Sequence, residues 1–259
     1  SRLMMLKYIR MVGVTMCEKC SSSLCTIISG CGHLNSIELD TVTLHDGTLD
    51  LRDLTNLTFL SLLQVPMSDG CSRFLRSSIS NCTCLKSLDL WYTTLNDGIF
   101  DLNSLTQLTS FSLCSVDMSE ECSKCLCLCI STGLFAHLKR LHLQHITLHG
   151  VLDLKTLTSL AHLELDRLTM SEECTKYLCN SINACTNLEK LQLYFISLHD
   201  NVLDLKKLRN LSMLKLCHVN MSSECRKKIL NESKQHCPKL KHIRFIPHDL
   251  DKTRQLEAI

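Results

Sequence analysis

The sequence predicts an α/β solenoid, in which a short strand and a return segment repeat along one axis. One observation is the motif L-x-x-L-x-L-x-x-I-x-L, which runs from Leu188 to Leu198. The other is its recurrence about every 23 or 28 residues, ten times along the chain in a long–short alternation. A fixed period in this range is the signature of repeat architectures. The repeats begin near Leu6, Leu34, Leu57, Leu85, Leu108, Leu138, Leu160, Leu188, Leu211 and Leu240.

Alternation inside the motif predicts the strand. Side chains of a strand point alternately to opposite faces, so the fourth and sixth residues share one face and the third, fifth and seventh share the other. The fourth and sixth residues are apolar throughout, as Leu191 and Leu193 illustrate. We therefore expect a parallel sheet of ten short strands with one face buried.

The two repeat lengths differ in the return segment. Long units carry Met-Ser-x-x-Cys and then apolar residues at helical spacing, such as Leu178 and Ile182. A serine placed just ahead of acidic residues is typical of a helix start. Short units leave only about a dozen residues between strands, so we expect helices to alternate with short, flat segments on the convex side. The predicted helix N-caps are Ser68, Ser119, Ser171 and Ser222.

The repeats predict one domain over residues 1–259, because each unit of a solenoid packs only on its neighbours. The first repeat starts within a few residues of Ser1, whereas an exposed solenoid end normally carries a polar cap. We therefore expect a fragment of a longer protein. The polar residues 250–259 are expected to form a C-terminal cap or tail, since the apolar template fails at His248.

The overall composition argues against two classes of partner. A formal charge of +2 gives no bulk argument for nucleic acid, and we expect none. No apolar run approaches the roughly 18 to 20 residues of a spanning helix, so membrane insertion is not expected. The apolar opening stretch follows the repeat template from Leu6 to Met16, which indicates structure rather than a cleaved leader.

Half of the 18 cysteines recur at two places in the template. Equivalent positions of successive coils stack on one another, and a small apolar thiol suits such an interior. We therefore predict buried free cysteines, which favours a reducing compartment and a cytoplasmic location. These cysteines are Cys20, Cys71, Cys122, Cys174 and Cys225 at one place, and Cys31, Cys82, Cys185 and Cys237 at the other.

Signals for catalysis or a cofactor are weak. The dense cluster from Cys122 to Cys129 suggests zinc, but no histidine follows at zinc-finger spacing. Nothing marks a nucleophile oriented by a base, and the glycines form no phosphate-binding loop. We expect no enzyme, no metal and no cofactor.

The predicted binding surface is the concave face of the sheet, where side chains are free of the core. The third, fifth, seventh and eighth template positions hold the only tryptophan and three of the four tyrosines. Exposed aromatics are typical of binding hot spots, although variable positions also collect every residue that is not leucine. The predicted ligand- or partner-binding residues are Tyr8, Phe59, Trp91, Tyr92, His142, His145, His162, Glu164, Asp166, Arg167, Tyr194 and Phe195.

Charge on this face is also uneven. Acidic residues lie in the early repeats, and basic residues lie in the later ones, offset by Glu164 and Asp166. A partner with separated charges would fit this pattern, and so would solvated charges without a partner. The early residues are Glu38, Asp40 and Asp89, and the later ones are Arg140, Arg167, Lys190, Lys215 and Arg244.

The repeats resemble the leucine-rich repeat superfamily over about residues 3 to 250, because all ten copies keep the leading apolar positions. The long units are similar to the ribonuclease-inhibitor-like class, which also forms the C-terminal sensor regions of intracellular NOD-like receptors. This chain departs from the family at the ninth position, where the side chain of Asn or Cys usually forms a hydrogen bond to the turn. Backbone groups or water must satisfy those turns instead. The ninth residues are Val14, Val42, Val65, Thr93, Val116, Ile146, Leu168, Ile196, Val219 and His248.

The resemblance implies a recognition module from an intracellular innate immune receptor. Its ligand would be a protein or a microbial molecule on the concave face, and N-terminal domains absent from this sequence would mediate oligomerisation. Two alternatives remain: a scaffold or substrate-selecting adaptor of the ubiquitin-ligase type, and an extracellular repeat receptor. Five N-x-S/T sequons favour the last, namely Asn56, Asn81, Asn210, Asn220 and Asn231.

Overall fold

The computed structural model describes residues 5–45, 48–95, 100–199 and 203–246. Ten strands form one sheet in which each strand pairs in parallel with the next one along the chain. The predicted cap or tail at 250–259, together with His248, lies outside the described residues. The strands are β1 (Tyr8–Val12), β2 (Ser36–Asp40), β3 (Phe59–Leu63), β4 (Ser87–Trp91), β5 (Ser110–Cys114), β6 (Arg140–Gln144), β7 (His162–Asp166), β8 (Lys190–Tyr194), β9 (Met213–Cys217) and β10 (His242–Ile246).

Each strand spans the third to seventh residues of its repeat, and the register stays constant across the sheet. Leu141, Leu163 and Leu191 are direct neighbours on β6, β7 and β8, so the predicted stacking of equivalent leucines is confirmed. The fourth and sixth residues are buried in the central strands, as in β8. At the two ends they are less covered, and Ile243 of β10 is 41% exposed.

Helices occur in the five long units, as predicted. Four of them begin at a serine whose Oγ accepts a hydrogen bond from the backbone N–H three residues on, at 3.2 to 3.3 Å. The first helix has Cys17 at this position and no such side-chain bond. The helices are α1 (Glu18–Ser29), α2 (Asp69–Ile79), α3 (Glu120–Ser131), α4 (Glu172–Ile182) and α5 (Ser223–His236).

The described parts of the short units contain no helix. Apolar residues of these flat segments fill the interior instead, and Leu49, Leu51 and Leu54 are fully buried. Two small parallel pairs accompany the return segments, Thr94–Leu95 with Asp117–Met118 and Ser197–His199 with Asn220–Met221. The chain is therefore an α/β leucine-rich repeat solenoid, in which helices alternate with flat segments behind one parallel sheet.

Backbone hydrogen bonds stabilise the turns of this chain, in which the ninth residue of each repeat is not the usual Asn or Cys. The eighth residue of each of the first nine repeats has a φ between 49° and 64°. Its N–H donates to the carbonyl oxygen that ends the next strand, for example from Tyr92 to Cys114 at 2.8 Å. Only one of the nine is a glycine, Gly13, although a left-handed conformation costs other residues about 1 kcal/mol or more. The ninth residue is then free to be apolar, and Val42 and Val65 are buried.

None of the 18 cysteines, all of which lie in the described ranges, forms a disulfide, and 14 of them are buried. The predicted burial is confirmed at the template positions except at Cys20, which is exposed. Cys20 lies in the first long unit, and the described residues contain no earlier coil that covers the start of α1. Burial raises the pKa of Cys82 and of Cys185 to about 12, so these thiols stay protonated at neutral pH.

Candidate recognition surface on the sheet

The constant register arranges the outward side chains in rows across the sheet. The third, fifth and seventh template residues form three rows, which together we call the open sheet face. The fifth-residue row contains Ser61, Asp89, Ser112 and His142 on four consecutive strands. Side chains far apart in the sequence therefore lie next to one another.

A cavity of about 470 Å³ lies in the middle of the open sheet face, across β3 to β8. We call it the sheet cavity. Small side chains create it, because Ser61, Ser110 and Ser112 lie among larger residues. It is lined by Ser61, Leu63, Asp89, Trp91, Ser110, Phe111, Ser112, Arg140, Leu141, His142, His162, Leu163, Glu164, Lys190 and Gln192.

Trp91 and His142 form one fixed wall of the sheet cavity. The indole Nε1–H of Trp91 donates to Ser112 Oγ at 3.0 Å. Ser112 Oγ is also 3.4 Å from His142 Nδ1, and the two rings meet edge to face with centroids 5.7 Å apart. The other imidazole nitrogen, Nε2, is buried and has no hydrogen-bond partner in the described part of the chain. Trp91, which was predicted on the face that is free of the core, is half-buried and held in this polar network.

Asp89 brings a carboxylate to the same cavity. It has no hydrogen-bond or ion-pair partner for its side chain within the described ranges. Its neighbours in the row are Ser61 and Ser112, which carry no charge. Burial raises the pKa of Asp89 to about 6. Burying a carboxylate without a cation costs free energy. Asp89 therefore lacks a counter-ion among the described residues.

The opposite end of the sheet cavity carries three basic residues around Glu164. Arg140, His162 and Lys190 come from the third-residue row of β6, β7 and β8. Burial lowers the pKa of His162, and the positive charges of Lys190 and Arg140 lower it further. The imidazole therefore serves at neutral pH as a hydrogen-bonding group, and the two flanking residues carry the charge.

Two further networks fix side chains in the sheet cavity and beside it. Gln192 Nε2 donates to Glu164 at 3.0 Å, and the Tyr194 hydroxyl donates to Gln192 Oε1 at 3.1 Å. Burial raises the pKa of Tyr194, as does the charge of Glu164. One strand away, Asp166 accepts a 2.7 Å bond from Gln144. Tyr194 and Asp166, both predicted site residues, are thus positioned next to the cavity rather than in it.

The eighth residues form a separate row along the carboxyl edge of the sheet. Arg167 lies 3.1 Å from His145 Nε2 and 4.1 Å from the ring centroid of Phe195. The Phe195 ring stacks on His218 with centroids 4.5 Å apart. Tyr92 belongs to the same row and is 53% exposed. These predicted residues do not join the sheet cavity, because the left-handed turn directs the chain away after each strand ends.

Tyr8 and Phe59 also lie outside the cavity lining. Tyr8 is on β1, three strands from Trp91, and its hydroxyl donates to Glu38 at 3.1 Å. Phe59 is the third residue of its repeat on β3, and it is not among the lining residues. The structure therefore brings together four of the twelve predicted residues, which are Trp91, His142, His162 and Glu164.

Several lining residues were not among the predicted ones, because that prediction selected aromatic rings, histidines and three charged residues, Glu164, Asp166 and Arg167. Ser61, Ser110, Ser112 and Gln192 occupy the same template rows. Asp89 was noted for its charge but not as a site residue. The signal that finds all of them is row position, irrespective of residue type.

Two negative findings apply to the described part of the chain. None of its helices is both long and apolar enough to cross a bilayer. Within the same ranges, no three His, Cys, Asp or Glu side chains are arranged to hold a metal ion.

Comparison with known proteins finds similar folds at low identity. No protein-family model matches the sequence, and no curated protein matches it. Among solved structures, an internalin from Listeria monocytogenes is 16% identical with a TM-score of 0.48, covering 95% of this chain and 84% of that one.

Two plant receptors are also similar. A peptide hormone receptor solved with its peptide RGF2 is 18% identical over 83% of this chain, with a TM-score of 0.49. The Arabidopsis receptor kinase HAESA, solved with the peptide hormone IDA and a co-receptor, is 19% identical over 90% of this chain, also at 0.49. This chain spans 36% and 40% of those two structures. The fold assignment therefore rests on the repeats and the sheet.

Proposed function

We propose that this chain is a non-catalytic recognition module that binds a protein or peptide segment on the open sheet face. The observation that carries the proposal is the sheet cavity, which holds the half-buried Trp91 and the carboxylate of Asp89, a group without a partner among the described residues. Polar groups left without partners at the centre of a solvent-accessible face are what a ligand would satisfy. Aromatic anchors beside them are typical of binding hot spots.

The chemistry of the face supports a polypeptide partner. The sheet cavity is open and shallow rather than enclosed, and its lining alternates apolar, polar and charged groups. Small-molecule sites are usually concave and mostly apolar. A segment of extended chain, with alternating side chains and backbone amides, matches this mixed surface better.

The finer proposal is the sensor region of an intracellular receptor similar to the NOD-like receptors. The helix-containing long units support it through their likeness to the ribonuclease-inhibitor-like class. Fourteen buried cysteines that form no disulfide among the described residues support a reducing compartment. Two sequon asparagines have structural roles, since Asn56 and Asn210 donate to Gly32 and Thr186 carbonyls of the preceding coil.

The binding face is tested by matched substitutions on the two sides of the solenoid. Peptides would be selected from a random displayed library on the full chain, and their affinities measured by fluorescence polarisation. We expect Trp91→Ala and Tyr194→Ala to weaken binding about tenfold or more. Phe74→Ala on α2 and Tyr177→Ala on α4 remove rings that are 44% and 42% exposed on the helix side, and binding should stay within about twofold. The reverse pattern would overturn the proposal.

The compartment is tested by counting thiols. The native protein, purified without reductant from cells that make it, should react with 18 equivalents of a thiol reagent after unfolding. Disulfides between these cysteines, or glycans on Asn81 or Asn220, would instead support an extracellular receptor.

A further inference from the structure

We infer that the sheet cavity takes the basic side chain of a lysine or arginine in a partner's peptide segment, with Asp89 as its counter-ion. The inference rests on the proposed function and specifies the chemistry of its ligand. It starts from the one acidic group of the cavity that has no partner among the described residues.

No group on the strands beside Asp89 can neutralise its carboxylate. On β3 the outward residues are Phe59, Ser61 and Leu63, and on β5 they are Ser110, Ser112 and Cys114. The nearest titratable groups in its own row are Glu38 on β2 and His142 on β6, each two strands away. Arg10 pairs with Glu38 at 3.2 Å and is not available.

The groups around Asp89 suit an ammonium or guanidinium ion. The hydroxyls of Ser61 and Ser112 lie on the two adjacent strands and can accept hydrogen bonds from a cation with several donors. Trp91 lines the same cavity, and the face of an indole attracts cations. A neutral ligand would leave the carboxylate desolvated and unpaired, whereas a basic side chain would convert this cost into a charge-assisted contact.

The basic end of the cavity predicts a second, acidic residue in the partner segment. Arg140 is two strands from Asp89 and one row over, which is roughly 10 to 12 Å at ~4.8 Å per strand. An extended chain covers that distance in about three or four residues. A partner segment crossing the strands would therefore carry an acidic residue about three or four positions from its basic one.

The same arrangement makes binding depend on pH. The carboxylate must be ionised to pair with a cation, and burial holds the pKa of Asp89 at about 6 in the free chain. Affinity should therefore be highest above this pH and fall as the solution is acidified. Glu38, Arg140 and His142 also face this region, so the pH dependence has to be compared with that of a variant lacking the Asp89 charge.

The test uses peptides selected on the full chain at pH 7.5 from a random linear library. The best binders would be labelled and measured on the wild type, on Asp89→Asn and on Asp53→Asn, an exposed residue of a flat segment. We expect lysine or arginine in the selected peptides, and about a tenfold or larger loss with Asp89→Asn. Asp53→Asn should change affinity less than about twofold. Between pH 7.5 and pH 5, wild-type affinity should fall about tenfold, one pKa step of ionisation, and Asp89→Asn should change less.

Other outcomes separate the inference from the proposed function. Peptides that lose affinity with Trp91→Ala and Tyr194→Ala but bind Asp89→Asn normally would overturn the inference and keep the proposed function. Selected peptides without a basic residue would do the same. Peptides insensitive to all three substitutions would overturn both. Circular dichroism of each variant would establish that it is folded.

Discussion

Asp89→Asn should stabilise the folded protein while weakening its binding. The pKa of Asp89 is about 6 in the folded chain against an ordinary value of 3.8. At about 1.4 kcal/mol per pKa step, this difference sets a ceiling of about 3 kcal/mol at neutral pH. Solvent reaches part of the side chain, so we expect a gain of about 1 to 2 kcal/mol from the neutral amide.

The sign of this effect comes from proton linkage. The carboxyl of Asp89 holds its proton more tightly in the folded state than in the unfolded state. Between about pH 4 and pH 6 the folded state therefore binds more protons. Wild-type stability therefore falls with rising pH across this window because of Asp89. The gain from Asp89→Asn should be near zero at pH 4 and complete above about pH 6.

The assay is urea unfolding followed by circular dichroism at pH 4, 5, 6 and 7.5. Asp50→Asn is a control of opposite sign, because hydrogen bonds from Arg52 lower the pKa of Asp50. That contribution is present above pH 3.8 and lost at lower pH, so this variant should be slightly less stable at neutral pH. A variant Asp89→Asn that is no more stable than the wild type at pH 7.5, or whose gain is independent of pH, would refute the reasoning.

Three further predictions concern the scaffold and its thiols. Ser119→Ala should lower the free energy of unfolding by about 1 kcal/mol, because it removes the cap of α3. Cys17→Ser should raise the melting temperature, because it supplies the cap that α1 lacks. Equal urea midpoints for both variants would contradict this prediction. Leu191→Ala should lower the free energy of unfolding by about 2 to 5 kcal/mol, because Leu191 is fully buried in the core. Ile243→Ala at the exposed end should lower it clearly less. Equal losses of stability in urea unfolding would argue against the stacked core. Hydrogen bonds from the backbone N–H and the thiol of Cys20 lower the pKa of Cys17. Iodoacetamide should therefore alkylate Cys17 first. If mass spectrometry finds that a buried thiol is modified as fast, the described burial is contradicted.

The scaffold could be predicted because its signals are local and repeated. Leu191 and its equivalents specify the core row, and each serine such as Ser119 specifies a helix start three residues before the N–H that it caps. Cys20 is the exception that shows the limit, since its burial depends on a neighbouring coil rather than on its own repeat.

For the recognition surface, the sequence could predict which face of the sheet carries it, but not which residues line its cavity. Trp91 is held by Ser112, 21 residues later in the sequence, and this contact exists only because the register places the two side chains side by side. The carboxylate of Asp89 is half-buried because small serines on both neighbouring strands leave a depression. Such properties belong to the rows of the sheet, so they appear only once the register is known. The separation of the eighth residues from the sheet cavity could not be predicted for a related reason, because the sequence gives no sign that Phe195 adopts a left-handed backbone.

Ligand binding on the open sheet face can be measured directly through the single tryptophan. Trp91 is the only tryptophan of the chain and lines the sheet cavity. Acrylamide quenching of its fluorescence should be measured in the free protein and with a saturating selected peptide that lacks tryptophan. A bound peptide that shields Trp91 and reduces the quenching is the predicted result. Saturated binding with unchanged quenching would place the ligand elsewhere on the solenoid and contradict the assignment of this face.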